Sequence, residues 1–343
     1  MNKAVSSKKS LPWCIKSILV ASFIILSGIN GTYGAQVDAD AILKRAYTVQ
    51  NQISYAGRQR TTLYSSTSHI SADVKVLRRG HSSRLEYLTG PATGTIIIDD
   101  GKTITYLNPR TKTATVVRTP EPSENLSLLL RNYRPELIGS STLAQRPCYI
   151  IRLTSKYPGN PYKKLWIDKS NFLPLRTDRY NSDGRLAIST YFTSIDFSAE
   201  PTQSLFTIPK GWKVLKVSGQ PDQENASAVS RIVGFSLVEP TYLPRGYVRD
   251  GYFVCEACPR TCCAGIRYSN GLNVISVFER KIQSPGMGRG WRRGRSCERC
   301  TNTCITSQNP QGKMVQTNVD NLSVVIVGDI ALSELQKIAS SLK

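Results

Sequence analysis

Thr95-Ile96-Ile97-Ile98-Asp99-Asp100-Gly101-Lys102-Thr103-Ile104-Thr105-Tyr106-Leu107-Asn108-Pro109-Arg110-Thr111-Lys112-Thr113-Ala114-Thr115-Val116-Val117 is the stretch whose reading decides the fold. The runs 95–98, 103–107 and 114–117 are rich in β-branched residues and alternate in polarity, and Asp99-Asp100-Gly101 and Asn108-Pro109 between them are turn formers. This spacing predicts neighbouring antiparallel strands joined by short turns. The same pattern extends outward to Asp73–Leu77 and Ser83–Leu88 on one side and to Tyr149–Leu153, Lys164–Ile167 and Ala187–Phe192 on the other. Pro158-Gly159-Asn160 and Ser182-Asp183-Gly184 mark further turns. A mostly antiparallel sheet is therefore expected over roughly residues 54–206.

Two helices are expected beside it. Ala39, Ile42, Leu43, Ala46 and Val49 follow the three-and-four spacing of an amphipathic helix over Asp38–Gln52, with Asp38 or Asp40 as the cap. Ser123–Tyr133 carries Leu126, Leu128, Leu129 and Leu130, with Ser123 at a capping position and Pro135 beyond, and reads as a short helix lying on one face of the sheet. The polar run Ser218–Ser230 reads as a linker. After it, strands are expected at Gly234–Val238, Tyr247–Val254, Gly265–Tyr268, Asn273–Arg280, Gly312–Thr317 and Leu322–Val327, followed by a helix over Ser333–Leu342. The expected class is α+β: a large antiparallel sheet over helices, then a smaller antiparallel α+β domain.

At the start, Lys3, Lys8, Lys9 and Lys16 precede an apolar run from Ile18 to Ile29, and Thr32-Tyr33-Gly34 offers small residues at the positions a signal peptidase reads. Residues 1–34 are therefore expected to be a secretory signal cleaved near Gly34, with a first domain over 35–217, the linker over 218–230 and a second domain over 231–343. Export to the periplasm follows from that reading. The chain has 343 residues, with 45 Lys plus Arg against 24 Asp plus Glu. Four lysines and no acidic residues leave with the signal, so 41 basic residues remain against 24 acidic ones and the exported chain stays strongly basic. That balance favours an acidic partner, such as an anionic membrane surface or lipopolysaccharide, while export argues against nucleic acid.

Catalysis is not expected. The two histidines, His69 and His81, have no Cys, Asp or Glu at a pairing distance in sequence, and no Gly-x-Ser-x-Gly occurs.

Seven of nine cysteines crowd into one stretch, where Cys255-x2-Cys258-x3-Cys262 recurs as Cys297-x2-Cys300-x3-Cys304. In an oxidising compartment these six read as disulfides between the clusters. A tetrahedral zinc site from Cys255, Cys258, Cys297 and Cys300 is the alternative, and a redox-active Cys-x-x-Cys a third reading. With disulfides the chain needs no cofactor. Cys263 and Cys148 stand outside the repeat, and Cys148, opening an apolar strand, reads as a buried thiol. Between the clusters, Arg289, Arg292, Arg293 and Arg295 alternate with glycines around Trp291. They read either as guanidinium forks for phosphate or carboxylate or as a solvated insertion.

Several stretches together resemble the periplasmic sigma-E regulatory proteins of the MucB/RseB family. In the first domain they are Ile53-Ser54-Tyr55-Ala56-Gly57, Arg84–Pro91, Leu128-Leu129-Leu130-Arg131-Asn132-Tyr133, and Lys164-Leu165-Trp166-Ile167-Asp168 leading to Leu173-Pro174-Leu175-Arg176. In the second they are Tyr242-Leu243-Pro244-Arg245-Gly246-Tyr247, Tyr268-Ser269-Asn270-Gly271-Leu272, Ser276-Val277-Phe278 and Val324-Val325-Ile326-Val327-Gly328-Asp329. The resemblance implies a first domain like the LolA lipoprotein carriers, a curved antiparallel half-barrel over helices with an apolar cleft. It also implies a smaller second domain, binding to the extracytoplasmic domain of an anti-sigma factor, and release by lipid or lipopolysaccharide. On that reading Leu126, Leu128, Leu129 and Leu130 are candidates for an acyl-chain cleft, and a lipid carrier is the alternative function. The Cys- and Arg-rich insertion between Phe278 and Met314 departs from the family pattern.

Overall fold

The structure, a computed structural model, describes residues 38–118, 125–217, 225–255, 263–282, 305–309 and 312–343. Helix α1 (Ala39–Val49) starts at Asp38, whose carboxylate accepts the Asp40 N–H at 3.0 Å, and it buries Ile42, Leu43 and Ala46. The chain then runs as a meander, β1 (Tyr55–Tyr64), β2 (His69–Arg79), β3 (Ser82–Tyr87), β4 (Ile96–Asp99), β5 (Thr103–Asn108) and β6 (Thr113–Arg118). Helix α2 (Leu126–Asn132) opens a second meander, β7 (Tyr133–Leu143), β8 (Arg146–Ser155), β9 (Tyr162–Asp168), β10 (Pro174–Tyr180) and β11 (Leu186–Asp196). The cap of α2 is Asn125, whose side chain accepts the Leu128 N–H at 3.0 Å.

The two meanders join where β1 pairs with β11, giving one open curved sheet in the order β12-β6-β5-β4-β3-β2-β1-β11-β10-β9-β8-β7. Its last member, β12 (Lys213–Val217), lies parallel to β6, whereas every other strand pair among the described residues is antiparallel. The connection explains the exception. After β11 a 3-10 turn, Gln203–Phe206, buries Phe206 among Leu77, Ile98, Leu107 and Ala114, with Ile208 and Trp212 packed alongside. This carries the chain back across the sheet before β12 starts, as a parallel pairing requires.

Beyond it, helix α3 (Ala226–Val233) is capped by Asn225 and ended by Gly234, whose φ of 74° is the left-handed C-cap conformation. The strand expected at Gly234–Val238 is therefore absent, and part of the polar segment expected as linker is helical. Asn225 is an N-cap residue, and Val229 and Val233 recur at helical spacing and are buried. The smaller sheet contains β13 (Val248–Cys255), β14 (Cys263–Ser269), β15 (Val274–Lys281), β16 (Ile305–Asn309), β17 (Gly312–Val319) and β18 (Leu322–Gly328), followed by helix α4 (Leu332–Ser340). Its order is β13-β14-β15-β18-β17-β16. Helix α3 packs against β13 and β14, and α4 against β17 and β18. Ile266, Ile275, Val277, Val315, Val324, Ile326, Leu335 and Ile338 form the core between them. The class is α+β, with a large open antiparallel sheet and a second, smaller one.

Candidate ligand groove and domain junction

Strand alternation decides which side chains enter the space under α1. On β9, Lys163, Leu165 and Ile167 share a face, and the register places Arg179 of β10 opposite Lys163 and Thr177 opposite Leu165. On β11, Ile188 stands opposite Arg179 and Thr190 opposite Thr177. Thr190 in turn meets Thr61 of β1, their hydroxyls 3.0 Å apart. This face holds a cavity of about 310 Å³ lined by Ala46 and Tyr47 of α1 and by Tyr55, Arg78, Lys163, Leu165, Leu173, Thr177 and Phe192, among others.

A second cavity, of about 420 Å³, shares Lys163 and Thr177 with the first and adds Arg179, Ile188 and Thr190. Its other wall comes from the smaller sheet: Leu272, Asn273, Val274, Ser276, Val327 and Gly328. Val274, Ser276 and Val327 alternate with the core residues Ile275, Val277 and Ile326, so the sheet presents here the face that its helices leave open. The groove thus mixes apolar side chains with threonine hydroxyls and with Lys163 and Arg179 on neighbouring strands, and the first cavity, which Gln50, Gln59 and Arg78 also line, is the more polar of the two.

One end of the groove is closed by a turn of the smaller sheet. In Ser269-Asn270-Gly271-Leu272-Asn273, the Asn270 side chain accepts the N–H groups of Leu272 at 3.1 Å and Asn273 at 2.8 Å, and Ser269 Oγ accepts the Gly271 N–H. The turn is therefore rigid before it meets anything else. Its tip, Leu272, is buried in the core of the larger sheet with Ile42, Leu43, Ala46, Leu129, Ile151 and Leu153. Burying that side chain contributes about 1.5–3 kcal/mol.

Around Leu272 the contacts are polar. The Asn132 side-chain amide donates to the carbonyls of Gly246 at 2.8 Å and Asn270 at 3.0 Å. That of Asn270 donates to Tyr133 Oη and to Asn160 Oδ1. Tyr247 Oη donates to Asn160 Oδ1 at 3.0 Å and accepts from Asn273 Nδ2 at 2.8 Å. Burial pushes the Tyr133 and Tyr247 hydroxyls well above their ordinary pKa, so both keep their protons. At the edge, Arg179 reaches Asn273 Oδ1 at 3.3 Å and the Asp329 carboxylate at 3.6 Å, while Asp329 also accepts the Ser182 N–H. Both sheets belong to one compact unit, Val37–Lys343.

The residues expected from sequence fall elsewhere. Leu128 and Leu129 of α2 are buried; Leu129, with Leu126 and Leu130 packed against its cluster, stands in the core beside the Leu272 seat, and none of the four leucines lines either cavity. The groove residues Lys163, Thr177 and Arg179 lie on strands whose charges disguise them. Cys258, Cys262, Cys297, Cys300, Cys304, Arg289, Arg292, Arg293 and Arg295 lie outside the described residues, as does the side chain of Cys255. Cys263, which stood outside the cysteine repeat, is disulfide-bonded, whereas Cys148 is a buried free thiol. Among the described residues no three His, Cys, Asp or Glu are grouped to hold a metal ion, and no helix is long and apolar enough to cross a membrane.

A large open sheet with a groove, into whose core a second, smaller sheet inserts a side chain, defines a two-sheet α+β protein. The chain belongs to the MucB/RseB family, for residues 38–210 match the MucB/RseB N-terminal domain. It is 23% identical over 239 residues to the sigma factor AlgU regulatory protein MucB of Pseudomonas aeruginosa, a match covering 66% of this chain and 64% of that protein. An uncharacterized protein of Methanocaldococcus jannaschii is 20% identical over 228 residues, covering 65% of this chain and 66% of that protein. The chain thus matches just under two thirds of the length of either curated relative. Among solved structures, the Pseudomonas aeruginosa MucA/MucB complex superposes with a TM-score of 0.62 at 19% identity, covering 89% of this chain and 98% of that one. A crystal structure of MucB gives 0.53 at 19% identity, covering 90% of this chain and 98% of that one. The fold shared with these chains includes both sheets.

Proposed function

We propose that the protein is a non-catalytic periplasmic regulator that binds the extracytoplasmic domain of an anti-sigma factor and releases it when lipid or lipopolysaccharide accumulates. The observation that carries this reading is family membership together with a two-sheet fold matching 98% of the MucB chain in its complex with MucA. The partner binds in the arrangement that the Leu272 turn fixes, and lipid entering the groove biases the protein against that arrangement. A ligand shifts such an equilibrium only by binding its two states unequally, and a second cavity with one wall from each sheet supports this reading.

A lipid carrier is the second reading. The seated second sheet speaks against it, because a carrier gains nothing from a turn that plugs its container. Titration of the purified protein with the extracytoplasmic domain of a single-span anti-sigma factor, with and without lipopolysaccharide, tests the proposal. Saturable binding weakened by lipopolysaccharide is expected, and absence of partner binding would overturn it.

A further inference from the structure

Residues 235–247, the strap between α3 and β13, are pinned to the smaller sheet by a buried carboxyl group. Glu279 of β15 has no exposed surface, and its Oε2 accepts the Val238 N–H at 3.0 Å. Its Oε1 has no partner among the described residues. Beyond Val238 the strap meets residues 341–343. Glu239 exchanges backbone hydrogen bonds with Lys343 at 3.0 and 3.2 Å, and the Thr241 N–H donates to the Ser341 carbonyl at 3.0 Å. The Tyr242 N–H donates to Ser341 Oγ. Further on, the Gly246 carbonyl accepts from Asn132 and the Tyr247 hydroxyl donates to Asn160, both in the larger sheet's half of the junction. A single segment thus runs from Glu279 to the contacts between the two sheets.

The surroundings of Glu279 offer its charge no compensation. From the strap comes the Glu239 carboxylate, bound by Arg249 at 3.0 Å and by Tyr252 at 2.7 Å, both of β13. From β14 comes Tyr268, whose hydroxyl is also buried and without a partner among the described residues. Burial pushes the Tyr252 and Tyr268 hydroxyls up, so both keep their protons. Lys281, next on the same face of β15, donates to the Gly234 carbonyl at the end of α3. Val324 and Ile326 of β18, Val229 and Val233 of α3, and Leu335 and Ile338 of α4 complete an apolar core. The neighbouring charge that acts on Glu279 is therefore Glu239, of the same sign. An ionised Glu279 is a buried charge without a cation, and it reaches water only by leaving the core and releasing the Val238 N–H.

We propose that Glu279 is a proton-operated latch: protonated, it holds residues 238–242 against the smaller sheet, and on losing its proton it turns outward and frees them. Release loosens the pairing with residues 341–343 and slackens the segment that carries Gly246 and Tyr247 into the junction. Burial pushes the Glu279 carboxyl up to about 7, so the latch is closed at pH 5 and opens as the pH rises between about 6 and 8. The latch needs neither partner nor lipid, and it stands or falls separately from the regulatory reading.

Hydrogen exchange of the full exported chain between pH 5.5 and 8, corrected for the intrinsic pH dependence of exchange, tests the latch. The Val238, Glu239 and Thr241 amides should lose protection at least tenfold across this range, and should exchange ahead of the amides of β14 and β15. Glu279→Gln keeps an acceptor for Val238 and cannot ionise, so it should abolish the change while matching the wild type at pH 5.5. Glu239→Gln, which removes the neighbouring charge, should move the release to lower pH, and it supplies a second variant should Glu279→Gln not fold. Three results overturn the latch: protection independent of pH in the wild type, the same pH dependence in Glu279→Gln, or strap amides that exchange only in step with those of β14 and β15.

Discussion

Gly271 stands so close to α2 that a Cβ atom built on it would lie 2.3 Å from the backbone nitrogen of Leu129 and 2.6 Å from its Cα. Its φ of +92° lies in the region that only glycine occupies without strain. The obstacle on the other side is helix backbone, which cannot rotate away as a side chain would. Gly271→Ala should therefore push the turn off its seat, at a cost of about 2–4 kcal/mol, the range for strain and overpacking combined. Chemical denaturation gives the loss. Faster exchange at the Leu272 amide, with β-strand amides of each sheet unchanged, would place it at the junction, while a fully stable variant would show that the turn need not sit there.

Leu272→Ala removes the side chain and leaves the backbone approach intact. Core Leu→Ala changes typically cost 2–5 kcal/mol, and a site at a junction that can relax belongs near the lower end, about 2 kcal/mol. The buried amide network of Asn132, Asn270 and Asn273 remains, so the sheets should stay together but open more often. Proteolysis between residues 210 and 240, faster in the variant at equal folded fraction, is the expected sign. Unchanged cleavage would mean that the polar contacts alone hold the junction.

Much of this was legible in the sequence, and the failures share a cause. The strands read at 73–77, 83–88, 95–98, 103–107 and 114–117 correspond to β2–β6, because each sets apolar residues against one covered face. Strands β1, β7, β10, β12 and β16 escaped; of those beside the groove, β1 carries Arg58, Arg60 and Thr62 on one face and Gln59 and Thr61 on the other. On β10 the pair Arg176 and Asp178, joined at 2.8 Å, breaks the alternation. Two of the strands that border the groove thus lack the pattern by which strands are recognised, whereas their neighbours β9 and β11 keep it and were read. The junction left a different trace. Leu128–Tyr133, Tyr242–Tyr247, Tyr268–Leu272 and Val324–Asp329, read separately as stretches resembling one family, converge there through Asn132, Gly246, Asn270 and Asp329. No period or spacing in one chain links segments more than a hundred residues apart.

Asp168 organises the opposite end of the larger sheet. Its carboxylate is fully buried and accepts the N–H groups of Ser170 at 2.8 Å and Asn171 at 2.7 Å, while the Arg146 guanidinium grips both its oxygens and stacks on Phe197. Burial alone would raise its pKa, but Arg146 and these two N–H groups outweigh it and hold the carboxyl below the ordinary range. The stability this provides is present above the unfolded-state pKa and is lost as the pH falls through the folded value. Arg146→Ala leaves a buried carboxylate without its cation, and a loss of about 3 kcal/mol at pH 7 is expected. Denaturation at pH 7 and pH 4 should show the variant's deficit shrinking at the lower pH. A deficit equal at both would assign the role of Arg146 to packing on Phe197.

Glu279 behaves in the opposite sense. It sits on β15 with no exposed surface, Oε2 accepting the Val238 N–H at 3.0 Å and Oε1 without a partner. Burial, helped by the Glu239 carboxylate and opposed by the Val238 N–H, pushes its pKa up to about 7. The folded protein therefore holds a proton that the unfolded chain releases near pH 4.5. Between those values the unfolded state binds fewer protons, so stability falls as the pH rises, by about 3 kcal/mol over the window, and levels off above it. Glu279→Gln keeps an acceptor for Val238 and never ionises. It should match the wild type near pH 5 and exceed it by about 2–3 kcal/mol at pH 8. Denaturant midpoints at pH 5, 6, 7 and 8 decide the matter: curves that diverge with rising pH support a protonated carboxyl in the core, and parallel curves would mean that Glu279 is ionised and solvated in the folded protein.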